Sequence, residues 1–409
     1  MSDSAFKKII IVGAGPAGSS LAHLLSERGI PTTLVERQRD FSREFRGEGL
    51  MPSGFEALCQ MGLEDQVREL PQVKIRGMEI YQKGKFLFHL EPDLFRQDPG
   101  TNWISQPALL EMIISKCERK PDFNFFRGWR CVGLIERDGR VRGIKVAQGS
   151  EIREIKGDIV IGADGRASIL RKLINPKRHV YKQIIDVVWF KVPCPEFIKN
   201  GIGLATLSPG NAVLSFPVYD NQLQVGWLIK KGHFGAIKRQ GKEALFQNLI
   251  SSLPDHFADY LEKNYEKISD YFVLDVACSR LQTWHHRGVL MIGDASHTMS
   301  PVAAQGINLA LRDSIVVANE LIPVIRGGRA GEESIDEAFK RIQHKRMKEV
   351  RRIQKLQQAP PKILFQQNIL ARLLVRNLPW LSRRALVQRA VTRIADTFIF
   401  GYSDVTLKI

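Results

Sequence analysis

The spacing of apolar residues changes period several times along the chain, and each change marks an element. Lys8 to Val12 (KIIIV) is an unbroken β-branched run, as expected of a strand covered on both faces. It ends at GAGPAG, after which Leu21, Leu24 and Leu25 recur at helical spacing between Ser19 and Arg28. A second buried run, Thr32 to Glu36 (TTLVE), completes a strand–helix–strand unit and predicts a parallel sheet. Between Trp129 and Lys156 the period falls to two, with Asp138-Gly139 as a hairpin turn between RCVGLIER and RVRGIKV, which predicts a small antiparallel meander. Asp158 to Ile161 reads as a return to the parallel sheet and ends at GADG. From Pro176 to Trp284 the strands lengthen and alternate, as in NAVLSFPVYDNQLQVGWLIKKG, with one helical stretch around Lys242 to Lys263. Val289 to Ile292 is a further buried strand before GDASH and a helix from about Ala304 to Ile325. Beyond Gly331, Phe339, Ile342, Met347, Val350, Ile353 and Leu356 share one broad helical face, and Pro360-Pro361 ends that helix.

This order predicts an α/β protein of three regions. Residues 1–175 and 285–330 form a discontinuous Rossmann-like domain with a parallel sheet and the meander. Residues 176–284 form a substrate domain on a mixed or antiparallel sheet, and 331–409 a basic helical region. The composition agrees: 409 residues, 44% hydrophobic and 25% charged, exclude a disordered, collagen-like or disulfide-framework chain. Five scattered cysteines without a CxxC pair predict a reduced protein without a metal site. With no secretory pattern at the N-terminus and no run of roughly 18 apolar residues, a cytoplasmic location is expected. The net charge of +17 is uneven, since Ala338 to Arg393 holds fifteen Lys and Arg but one acid, Glu349. The picture is a basic appendage on a near-neutral body.

Gly13-x-Gly15-x-x-Gly18 lies between a strand and a helix, the setting of a dinucleotide loop. The first glycine makes the turn, the second admits a pyrophosphate, and the third packs helix on strand. Ala17 and Arg37 belong to the same neighbourhood. Glu36, at the end of the next strand, is placed to accept hydrogen bonds from the ribose hydroxyls of an adenosine.

A second constellation is DIVIGADGRASILR, in which a strand ends at Asp164-Gly165 and Arg166, Ser168 and Arg171 open a helix. A third is RGVLMIGDASHTMSPVAAQGINLALRD, residues 287 to 313. Together with the glycine loop, these segments resemble the group A FAD-dependent monooxygenases, the superfamily of p-hydroxybenzoate hydroxylase and the ubiquinone-pathway hydroxylases. The resemblance implies that Asp164 lies where flavin and nicotinamide donor meet, that Asp294 binds the ribityl chain, and that Pro301 flanks the ring. It also places the N–H groups of Gly306, Ile307 and Asn308 where the reduced flavin carries negative charge. Many relatives have glycine in place of Ala304, which implies a slightly less close approach to the flavin. FRGEGLMPSGFEALCQMGL resembles the family segment from which an arginine reaches the cofactor, here Arg46, and Gln106 matches a position near the ribityl chain. A surface salt bridge or a core amide are the competing readings of these two residues.

The resemblance implies FAD as cofactor and NAD(P)H as donor. In the family, reduced flavin adds O2, and the C4a-hydroperoxide passes one oxygen to an electron-rich substrate. The expected activity is hydroxylation or epoxidation of an aromatic, phenolic or quinone-like, lipophilic small molecule, with no catalytic side chain singled out. An FAD-dependent reductase of the geranylgeranyl-reductase type, or a non-oxygenating FAD protein that binds a reactive intermediate, are the alternatives. A halogenase is disfavoured, because VGWLIK lacks the first Trp and the proline of W-x-W-x-I-P. His297 is read as ordering local hydrogen bonds rather than moving protons. Trp189, Phe190, Phe216, Tyr219 and Trp227 are read as core. Arg372/Arg376 and Arg389/Arg393, interleaved with Leu, Val and Trp, suit an anionic membrane surface or an apolar face packed on the body with arginines outward. No motif supports nucleic acid as the partner.

Overall fold

The computed structural model describes residues 7–42, 48–82, 84–90, 100–198, 201–208, 210–239, 241–269, 271–327, 331–365 and 396–409, with isolated positions between 373 and 394. A six-stranded sheet runs in the order His285–His286, Val289–Met291, Ile159–Gly162, Ile9–Val12, Thr32–Glu36, Phe123–Arg127. All neighbours are parallel except the short His285–His286 edge. Ile9–Val12 is central and wholly buried, the reason its sequence is continuous in apolar residues rather than alternating. Ile9 and Ile11 face the helices Pro16–Ser26 and Gln305–Arg326. Ile10 and Val12 face the meander of Arg130–Arg137, Arg140–Gln148 and Glu151–Lys156. Its hairpin turns at Asp138 and Gly139, both with positive φ (54° and 68°), the backbone that favours Asp-Gly there.

The second sheet has seven strands: Phe272–Leu274, Ile185–Pro193, Gln222–Lys230, Asn211–Val218, Ile202–Ser208, Gly77–Gln82 and Lys85–Leu90. It is mixed, with one parallel pairing between Ile202–Ser208 and Gly77–Gln82. Its last two strands come from the segment between Glu36 and Trp129, where the apolar pattern had singled out no strand. The single helical stretch expected around 242–263 is two helices, Lys242–Ile250 and Asp255–Lys263, preceded by Phe234–Arg239. Phe246, Leu249, Phe257 and Leu261 of the two longer helices pack on Val188, Phe190, Val225 and Trp227 of the sheet. A three-stranded antiparallel sheet of Gly49–Leu50, Thr101–Ile104 and Gln72–Ile75 lies between the domains. It meets the large sheet where Trp103 stacks on Phe216, ring centroids 4.2 Å apart.

The 26-residue helix Glu332–Gln357 corrects the picture of a basic appendage. Phe339, Ile342 and Val350 are core, and two charged residues, Arg346 and Glu349, are fully buried. Pro360 and Pro361 lie in the first turn of the next helix, Ala359–Phe365, where a proline needs no N–H partner, so the pair also opens a helix. The terminal segment is laced to the first domain. Leu407 and Lys408 N–H donate to Gln60 and Asn319, whose amides donate to the carbonyls of Val405 and Thr406. Arg372 and Arg376 lie outside the described residues, while Arg389 and Arg393 are exposed.

Candidate cofactor and active site

The three glycines of the loop have different surroundings. A Cβ on Gly13 (φ +102°) would stand 2.4 Å from the Ala163 carbonyl oxygen, and one on Gly18 1.9 Å from that of Gly13, so both positions are closed by packing. A Cβ on Gly15 would meet nothing within 4 Å. The helix Pro16–Ser26 starts at Gly15 without a side-chain cap, leaving its first amides and dipole toward that open space. Ala17 is buried, and its carbonyl accepts Ser314 Oγ–H at 2.8 Å, tying the loop helix to the helix of the third motif. Glu36 Oε2 accepts the Ala14 N–H at 2.9 Å and Oε1 the Gln38 N–H at 3.0 Å, which fixes the acid at the mouth of the turn. Beyond it, exposed Arg37 lines a cavity of about 520 Å³ with Gln38, Gly128, Arg130 and Gln148.

Asp164 is half-buried just after the end of Ile159–Gly162. Its Oδ2 accepts the N–H groups of Ile169 (2.7 Å) and Leu170 (3.3 Å), while Oδ1 is enclosed without a partner. Burial pushes this carboxyl up, against the pull of Ser168 and the two amides. Ser168 caps the helix Ile169–Ile174 by accepting Arg171 N–H at 3.0 Å. Arg171 Nη1 then donates to the carbonyls of Asp294 (3.2 Å) and Ala295 (2.9 Å), and Arg166 Nε to Asp294 Oδ2 at 3.2 Å. The second and third motifs are thereby joined, and Asp294 shares its carboxylate with Arg166.

Pro301 starts a 3₁₀ turn, Val302–Ala304, in which Ala303 (φ 58°, ψ 27°) and Ala304 (φ 49°, ψ 38°) are both left-handed. That backbone costs a non-glycine residue roughly 1–2 kcal/mol. The Ala304 methyl is received by Gly49, on which a Cβ would lie only 2.7 Å away. Helix Gln305–Arg326 begins here, again without a side-chain cap, and a Cβ on Gly306 would meet open space. Helix geometry leaves the amides of Gln305, Gly306 and Ile307 without an intrahelical acceptor, whereas the Asn308 amide falls to the Ala304 carbonyl. The expectation for Asn308 is therefore revised: its contribution is the side chain. That group donates to the carbonyls of Gly49 (3.1 Å) and Ala304 (2.8 Å) and accepts the Met51 N–H at 2.9 Å. Gln106 is the half-buried first residue of the helix Gln106–Glu118, which Ser105 caps. Arg46 lies outside the described residues.

His297 is buried, with Nε2 2.7 Å from Asp313 Oδ2. The same oxygen accepts the Gly293 N–H at 2.9 Å, so Asp313 closes the turn that carries Asp294. Arg346 Nε donates to Asp313 Oδ1 at 2.6 Å and pairs through Nη1 with Glu349, which Arg312 holds at 3.0 Å. Burial opposes ionisation of Asp313, yet His297 and Arg346 outweigh it and hold the carboxyl down at about 2. Glu349 is likewise held at about 2, against its burial, by Arg346 and Arg312. Asp313 closes the quoted third motif and could have been found there; buried Arg346 carries no sequence mark among its exposed basic neighbours. Sequence reasoning also passed over Glu48, whose Oε1 accepts the Tyr219 hydroxyl at 2.7 Å. Among the described residues no cluster has the makings of a metal site.

Open space at Gly15 and Gly306, two uncapped helix starts and the lone Asp164 Oδ1 fit an extended dinucleotide with two phosphates, hydroxyls and a ring that gains negative charge. The comparisons agree. Residues 7–353 match the FAD binding domain family. A 6-methylpretetramide 4-monooxygenase of Streptomyces rimosus is 29% identical over 100% of this chain and 95% of its own length. Squalene epoxidase 3 of Arabidopsis thaliana is 25% identical over 78% of this chain and 60% of that enzyme. In fold, the p-nitrophenol 4-monooxygenase of Pseudomonas putida superposes with a TM-score of 0.79 at 17% identity, covering 98% of this chain and 99% of its own. Glycine loop, paired aspartates and family match converge: the chain belongs to the FAD binding domain family, as an FAD-dependent monooxygenase of group A.

Proposed function

We infer that the protein takes reducing equivalents from NAD(P)H and hydroxylates an aromatic, phenolic substrate with O2, one oxygen atom entering the product and the other leaving as water. The observation that carries this reading is the aromatic wall beside the cofactor turn. Trp103 and Phe216 stack at 4.2 Å, with Met78, Leu214 and Tyr219 packed around them, one strand away from the Gly49–Ala304 contact. The full-length likeness to an enzyme named for 4-monooxygenation of 6-methylpretetramide supports an aromatic substrate.

Bound FAD supplies the electron transfer and the activation of oxygen. The chain's tasks are to hold and to exclude. Gly15 and the amides after it receive the pyrophosphate, Glu36 the adenosine ribose, Asp294 the ribityl chain, and the amides of Gly306 and Ile307 the charge that reduction places on the ring. The stacked indole and phenyl keep water from the reacting face. Purified yellow protein should oxidise NAD(P)H several-fold faster with a phenol or naphthol than with no addition. A panel in which only squalene-like alkenes stimulate would favour the epoxidase reading that the squalene epoxidase relatives support.

A second reading concerns location. No helix among the described residues is long and apolar enough to cross a membrane. The basic tail nevertheless exposes Leu373, Trp380 and Ile394, with Arg384 4.2 Å over the Trp380 ring, a pattern that suits the surface of an anionic bilayer. Sedimentation with anionic but not neutral liposomes, reversed by salt, would support it; no sedimentation at low salt removes it.

A further inference from the structure

We propose that Glu48, held by Tyr219, receives the hydroxyl proton of a phenolic substrate and so selects molecules that present an aromatic O–H beside the flavin-binding turn. The inference rests on the aromatic hydroxylase reading above and gives it a residue.

Glu48 is 4% exposed. One carboxylate oxygen, Oε1, takes the Tyr219 hydroxyl at 2.7 Å; the other, Oε2, is enclosed without a hydrogen bond among the described residues. A buried acceptor left unmet destabilises the fold, and more so when charged. Such a cost is retained where a ligand brings the missing donor.

The backbone sets Glu48 next to the turn that opens the helix of the third motif. The Ile104 N–H donates to the Glu48 carbonyl at 3.0 Å, fixing the residue against Thr101–Ile104. The next residue is Gly49, whose carbonyl accepts the Asn308 amide and whose bare Cα receives the Ala304 methyl. Glu48 is thus one residue from the turn at which the third motif opens its helix. Trp103, on the paired strand, satisfies its own N–H at Gln224 (3.0 Å) and presents an apolar stack rather than a competing donor.

The charges around the pair fix the direction of the proton. Burial pushes the Tyr219 phenol far up, with Glu48 and Asp220 adding to the rise and Ser105 opposing it, so Tyr219 remains a donor. Burial also raises the Glu48 carboxyl, opposed by Lys191 and Tyr219, which brings it nearer to the basicity a proton acceptor needs. Lys191 Nζ stands 4.9 Å from the Tyr219 ring centre. The step is a proton transfer only. The substrate O–H bond breaks, an O–H bond forms at Glu48 Oε2, and the electron pair stays on the substrate as a phenolate, whose ring carbons are then electron-rich. No oxidant or reductant is consumed. Tyr219 also lines a groove of about 530 Å³ with Pro71, Val73, Ile198 and Pro217.

The test is equilibrium binding to the oxidised holoenzyme, read from the flavin spectrum, with 1-naphthol and naphthalene as probes. The wild type should bind 1-naphthol at least about tenfold more tightly than naphthalene. That preference should fade as pH falls through the raised range of the Glu48 carboxyl, because the acceptor must be ionised. In E48Q the preference should shrink to within about threefold and lose its acid limb. In Y219F, which keeps the acid but removes its donor, the limb should move to higher pH. An E48Q protein that keeps both the preference and the limb, or a Y219F limb that stays in place, overturns the assignment and leaves the aromatic reading standing. A wild type indifferent to the hydroxyl overturns hydroxyl recognition altogether. One that binds neither probe and is stimulated by no phenol takes the aromatic reading down as well.

Discussion

At the scale of the residue, the position that matters most is Ala304, where the resemblance leads one to expect glycine. The resemblance implies a slightly less close approach to the flavin there, whereas the structure turns the methyl onto Gly49, with the cost carried by a left-handed backbone. The two positions are therefore coupled. G49A should destabilise the protein by about 1–3 kcal/mol in urea unfolding, because its Cβ would collide with the Ala304 methyl. A304G alone should be neutral or stabilising by up to ~1 kcal/mol, relief of the left-handed strain being partly offset by the freer unfolded chain. In the double variant most of the G49A loss should be recovered. Strictly additive effects would contradict this contact.

At the scale of the element, helix starts differ in what meets their free amides. Ser105 and Ser168 cap their helices, while the helices that start at Gly15 and Ala304 have no side-chain cap, and we propose that the cofactor meets their amides. The two glycines of the first loop should then fail differently. G15A should fold normally, since its Cβ enters open space, yet bind FAD at least about tenfold more weakly. G18A should lose stability whether or not FAD is supplied, because its Cβ would be driven onto the Gly13 carbonyl. Equal FAD affinity in G15A and wild type would contradict the cradle. Much of this was legible in sequence because the demands are local: a β-branched run, a turn needing positive φ, an acid at a strand end. The strands Gly77–Gln82 and Lys85–Leu90 were not, since the first joins the large sheet through a partner more than a hundred residues away, Ile202–Ser208, and the second pairs only with the first. Glu48 was not legible either. An acid between two glycines reads as surface until Tyr219, from the turn after the distant strand Asn211–Val218, is brought against it.

At the scale of the whole molecule, the C-terminal helix and the cofactor turn are one charged core. The chain from His297 through Asp313, Arg346 and Glu349 to Arg312 links the third motif to Glu332–Gln357, and Glu349 also accepts the Tyr402 N–H. Folding lowers both carboxyls to about 2, below their unfolded values. Their contribution is thus fully present above the ordinary carboxylate range near pH 4 and is lost as pH falls toward 2. R346M should cost about 3–5 kcal/mol, because it strands two buried carboxylates, and should shift acid unfolding to higher pH. An unchanged acid midpoint would contradict the network's role. The central claim concerns what this assembly does with oxygen, and it is tested most directly by mass spectrometry of the product formed from a stimulating phenol under isotopically heavy O2. The account predicts one heavy oxygen atom in the product for each turnover. A product whose new oxygen comes from water, or NAD(P)H consumed with hydrogen peroxide as the sole oxygen product for every stimulating compound, would contradict it.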